Sequence, residues 1–178
     1  MSENIDLLKY PIGKFIFPEI ITLNDIKKYE NEIRKLPVEL SSAVNNLDEV
    51  QLNTPYREGG WSVRQLVHHI ADSHMNGYIR VKWGLTEDEP LIKTYDQDEW
   101  VKLPDTFNTP VSVSLNLISE LHERWANLIS VLNSEQISKK IKHPENSYGS
   151  LDQVICLYAW HGKHHTAHIS SLIKRMNW

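Results

Sequence analysis

A chain of 178 residues with 40% apolar and 24% charged side chains can build one packed core, and its composition excludes a disordered or fibrous protein. The formal charge of −4, with no run of Lys or Arg, excludes an electrostatic case for nucleic acid or anionic lipid as a partner. The single cysteine, Cys156, cannot close an intrachain disulfide, no apolar run reaches membrane-spanning length, and Met1-Ser2-Glu3-Asn4 lacks the layout of a signal peptide; a cytoplasmic location is expected.

Taken in chain order, residues 1 to about 20 carry Pro11, Gly13 and Pro18 among scattered apolar positions and predict an extended arm, with Phe15 and Phe17 as anchors. From about Thr22, Ile26, Tyr29, Ile33, Leu36, Leu40, Val44 and Leu47 recur at three- and four-residue steps and predict a helix facing a core. Pro37 interrupts the row and predicts a kink or a new segment, because proline removes a backbone donor and clashes with the preceding turn. A loop from Thr54 to Trp61, with Pro55 and Gly59-Gly60, leads into the capping-box pattern Ser62-Val63-Arg64-Gln65 and a helix to about Leu85.

Residues 86 to 111 hold Pro90, Pro104 and Pro110 without a sustained period, which predicts a long loop with one helical turn near Asp96 to Val101. Val113, Leu117, Leu121, Trp125, Leu128 and Leu132 restore helical spacing until Pro144, Asn146 and Gly149 break it. A second capping-box pattern, Ser150-Leu151-Asp152-Gln153, opens a last helix that runs nearly to the end. Four amphipathic helices with long connections define an all-α fold, a four-helix bundle forming a single domain over residues 1–178.

Seven of the nine histidines fall in two clusters: His68, His69 and His74 on one predicted helix, and His161, His164, His165 and His168 on another. Imidazoles four residues apart on a helix share a face and can chelate one ion. The pair His161 and His165 continues the apolar row Val154, Tyr158, Ile169, Leu172 and Met176, whereas His164 and His168 continue a mixed row at the polar boundary, so the first pair points inward. One further histidine from the second helix would leave a coordination position open, as in catalytic sites. Periodicity ranks His74, in the row Val63, Leu66, Val67, Ile70, Tyr78 and Val81, level with or above His69 for that place.

The stretch from Thr54 to Asn76, with Gly59-Gly60-Trp61-Ser62 and His68-His69, resembles the YfiT proteins of the DinB superfamily. So do Trp160-His161-Gly162-Lys163-His164-His165-Thr166-Ala167-His168, Tyr10-Pro11-Ile12-Gly13 and Tyr78-Ile79-Arg80. The resemblance covers nearly the whole chain. It implies a four-helix bundle, a homodimer, and one divalent metal held by a histidine of the second helix and two of the last; on the matching motifs these are His69, His161 and His165. It implies zinc ahead of nickel as the ion, and imidazole-only ligation suits either.

The function expected is that of a metal-dependent hydrolase acting on a small molecule through a metal-bound water. A thiol-dependent S-transferase of the bacillithiol type is the alternative on the same three histidines, and a non-enzymatic metal-binding protein is a third. Asp72 is weighed as an orienting carboxylate against a structural one, the latter preferred, and Cys156 as a small buried hydrophobe. Arg57, Arg80 and Arg124 are left outside the site as ordinary ion-pair partners.

Overall fold

The computed structural model describes residues 5–144 and 149–178, and in it nine helices follow one another among the described residues. They are α1 (Ile5–Lys9), α2 (Leu23–Val44), α3 (Glu49–Leu52), α4 (Val63–Thr86), α5 (Gln97–Trp100), α6 (Pro104–Asn108), α7 (Val111–Ser130), α8 (Ser134–Ile137) and α9 (Leu151–Met176). The four long ones, α2, α4, α7 and α9, form a four-helix bundle. Here α2 packs on α7 and α9, and α4 packs on the same two, so α2 and α4 occupy one diagonal and α7 and α9 the other. Consecutive long helices thus cross the bundle twice. No helix among the described residues is long and apolar enough to cross a membrane.

The helix starts follow local chemistry. Thr22 and Ser62 both close full capping boxes, with Asp25 and Gln65 reaching back to the cap backbone. The box expected at Ser150 does not form. The Ser150 hydroxyl bonds the Asp152 carboxylate instead, and Gln153 accepts from the backbone N–H of Gly149.

Three further expectations are corrected. Within the arm, Ile5–Lys9 is a short helix rather than extended chain; Phe15 then packs on Trp160 and Phe17 joins the core, so the anchoring residues hold. Pro104, a breaker by sequence, starts α6 at its first position, where its missing N–H costs nothing. Pro37 lies inside α2, which continues through it, so of the two outcomes expected there the start of a new segment does not occur. The carbonyl of Ile33, one turn back, is the acceptor that a residue-37 N–H would have used, and it accepts from His122 Nδ1 at 2.6 Å instead. The predicted break at Asn146 lies outside the described residues.

Two apolar clusters fill the bundle. One gathers Ile26, Ile33, Val81, Trp125, Ile129, Leu151, Ile155 and Tyr158; the other gathers Leu36, Leu40, Leu66, Ile70, Ile118, Ile169 and Leu172. On every long helix the switch from one cluster to the other falls near the level of the histidines. The bundle therefore carries a polar layer of imidazoles between two oily halves. Gly77 lets helices approach there: a Cβ would come within 2.7 Å of atoms of the Tyr158 and Trp125 rings.

Candidate metal centre

His69 comes from the second turn of α4, and His161 and His165 come from one face of α9, one turn apart. His161 Nε2 stands 3.2 Å from His69 Nε2 and 3.2 Å from His165 Nε2. The three residues each direct a ligating atom into one cluster spanning at most 4.8 Å. A tetrahedral zinc ion with bonds of about 2.0–2.1 Å sets its ligand nitrogens about 3.3 Å apart, so the spacing on both measured edges fits an ion held by these rings.

Neutral imidazole is the ligating form, and the surroundings keep these rings neutral. Burial pushes the pKa of His69 down to about 3. Burial first, and neighbouring histidines second, hold His161 and His165 well below the ordinary value. His69 is enclosed, whereas His161 and His165 keep part of their surface open. The loop before α4 closes over the first of them: Tyr56 N–H donates to the Trp61 carbonyl, Gly59 takes a φ of +64° suited to glycine, and the Trp61 ring lies 4.6 Å from that of His69.

Two cavities reach the histidines. One of about 660 Å³ has His161 on its wall together with Ser73, Arg80, Tyr95 and Tyr158. The other, about 380 Å³, has His165 on its wall with Arg57, Trp61 and Asp98. Gln97, in the connection between α4 and α7, borders both. Arg80 is buried and its guanidinium donates to the Tyr158 hydroxyl at 3.1 Å.

The residues expected outside the cluster divide. His68 is buried against the Ser114 hydroxyl, at 2.7 Å. Among the described residues no hydrogen bond joins the Asp72 carboxylate to His69, His161 or His165; burial beside Asp105 raises its pKa to about 6. Cys156 is buried, and burial pushes its thiol upward, away from reactivity. His164 and His168 do not sit at a polar boundary: both are buried, His164 stacked on Trp160 at 4.3 Å and His168 bonded to the Lys9 carbonyl. The N-terminal segment covers that flank of α9, which periodicity along α9 alone does not register.

His74 is fully buried, as its apolar row requires, yet it touches the centre: its Nε2 lies 3.1 Å from His161 Nδ1. Its Nδ1 lies 2.9 Å from Nε2 of His122, also fully buried. Sequence reasoning missed His122. The available signal was its place in the α7 row Ile118, His122, Trp125 and Ile129, a histidine at an inward position.

Residues 32–169 match the DinB superfamily model, and the chain belongs to that superfamily. It is 53% identical over 171 residues, covering 96% of this chain and 98% of the relative, to a Bacillus cereus protein named "Putative metal-dependent hydrolase". A Bacillus thuringiensis relative of similar name gives the same identity and coverage. Among solved structures, YfiT from Bacillus subtilis, described as "a probable metal-dependent hydrolase with an unusual four-helix bundle topology", superposes with a TM-score of 0.93 at 43% identity. That match covers 97% of this chain and 99% of YfiT.

Proposed function

We propose that His69, His161 and His165 hold one divalent transition-metal ion through their Nε2 atoms, and that the chain hydrolyses a small molecule there. The observation that carries this reading is the convergence of three buried or half-buried imidazoles with Nε2 separations of 3.2 Å on both measured edges. The names of the Bacillus relatives point the same way. Zinc stands ahead of nickel, and a homodimer in the cytoplasm completes the reading.

An ion bound by three neutral imidazoles supplies Lewis acidity, bringing the pKa of a water toward about 7 and polarising an electrophile. The chain's own residues supply the rest. The cavity beside His161 is large enough for a small substrate, and its wall presents hydroxyl and guanidinium donors from Tyr95, Tyr158 and Arg80. Hydrogen bonding to Arg80 aims the Tyr158 hydroxyl. The Trp61 ring packs 4.6 Å from that of His69 and lines the second cavity, beside His165.

The test is to strip the protein with a chelator, restore zinc or nickel, and assay a panel of esters, amides and phosphoesters with and without a low-molecular-weight thiol. The expected result is turnover that needs metal and no thiol. Turnover that persists in the stripped protein, or that appears only with thiol, overturns hydrolysis at this ion.

A further inference from the structure

Two chains of histidines lead away from the metal centre, and each ends on a main-chain carbonyl. In the first, His161 Nδ1 meets His74 Nε2 at 3.1 Å, His74 Nδ1 meets His122 Nε2 at 2.9 Å, and His122 Nδ1 meets the Ile33 carbonyl at 2.6 Å. In the second, His165 Nδ1 meets His168 Nδ1 at 3.3 Å, and His168 Nε2 meets the Lys9 carbonyl at 3.1 Å.

A carbonyl oxygen only accepts, and a neutral imidazole carries one N–H and one bare nitrogen, so each terminus fixes every proton behind it. His122 must donate from Nδ1 to Ile33, which leaves its Nε2 bare to accept from His74 Nδ1–H. His74 Nε2 is then bare and accepts from His161 Nδ1–H. His168 donates from Nε2 to Lys9, its Nδ1 is bare, and it accepts from His165 Nδ1–H. Both ligand rings are left with Nε2 bare, and these are the atoms that face each other at 3.2 Å. We propose that His74, His122 and His168 are positioning residues that lock His161 and His165 in the Nδ1–H tautomer, so that both present a bare Nε2 to the ion before it arrives. This rests on the three-histidine metal reading above.

Both anchoring carbonyls are free for a reason written in the sequence. Ile33 lacks its helical partner because residue 37 is proline, and Lys9 is the last residue of α1, where helix carbonyls have no partner in the next turn. The group that accepts the other N–H of a ligating histidine, normally a carboxylate, a backbone carbonyl or water, sets its tautomer, orientation and basicity, and removing such a partner costs about 10–100-fold in metal affinity. Here the partner is itself a histidine, and in the first chain a second stands behind it. Five histidines on α4, α7 and α9 thus share one proton arrangement.

Two measurements test the proposal. Long-range 1H–15N spectra of the metal-free wild type should show His161 and His165 protonated at Nδ1; protonation at Nε2 in either ring overturns the assignment for that chain. Zinc affinity by competition with a chromophoric chelator should fall about 10–100-fold in His74→Leu and in His168→Leu. It should return to within a few-fold of wild type in His74→Gln and His168→Asn, whose amide oxygens can accept at the places of the lost nitrogens, with folding of all four verified by circular dichroism. Unchanged affinity in the leucine variants, or equal losses in the leucine and amide variants, overturns it. A wild type that binds no zinc defeats the metal reading alone, since the spectra of the metal-free protein still report the tautomers.

Discussion

His161→Ala is expected to take the protein from about one bound ion per chain to none retained through gel filtration, while the bundle still folds. His161 is the residue from which both measured nitrogen separations are taken, to His69 on one side and to His165 on the other, so its loss leaves two imidazoles on different helices with no ring between them. The substitution also strips His74 Nε2 of its donor in a fully buried position, at a cost of about 1–3 kcal/mol in stability. His68→Ala is the matched control: it sits next to His69 in sequence, but its Nδ1 bonds Ser114, and it should keep its metal. Elemental analysis of the two variants checks the contrast, and full retention of metal by His161→Ala removes it from the ligand set.

Acid should destabilise the metal-free protein between about pH 6.5 and pH 4, where His122 stays neutral in the fold and takes a proton in the unfolded chain. Burial pushes the pKa of His122 down to about 4 from an ordinary value of 6.5. Between those values the unfolded chain binds a proton at this site that the folded chain does not, so stability rises with pH across the window. The contribution is full above about pH 6.5 and is lost as pH falls toward about 4, amounting to about 3 kcal/mol from this ring. Thermal unfolding of chelator-treated protein from pH 7.5 to 4.5 should show a falling midpoint, and His122→Phe should flatten the slope by about 1.4 kcal/mol per pH unit. An equal slope in the variant contradicts a neutral, buried His122.

Most of the bundle was legible because its signals are local. Three- and four-residue apolar spacing located α2, α4, α7 and α9, and Ser62 with Gln65 marked the start of α4. The same spacing set His161 and His165 on an inward face, and the structure brings them together with His69. Spacing did not choose between His69 and His74, and the reason is now physical: both rings point to the centre, one to His161 Nε2 and the other to His161 Nδ1. The tie was between two positions around one ring.

What stayed hidden depends on contacts between distant segments. His164 and His168 sit on a mixed row of α9, and they are buried because residues near Lys9 and Tyr10 lie over them. Pro37 reads as a helix breaker in isolation; its effect here is to free the Ile33 carbonyl for a histidine 89 residues later in the chain. His122 belonged to neither histidine cluster in sequence, and only the crossing of α7 over α4 brings it to His74.

The measurement that bears most directly on the three-histidine centre is the metal content of untagged wild-type protein by elemental analysis, beside His69→Ala. About one zinc or nickel ion per chain in the wild type, lost in the variant, is the result expected of an open three-ligand site. A wild type free of transition metal even after incubation with zinc and nickel contradicts it.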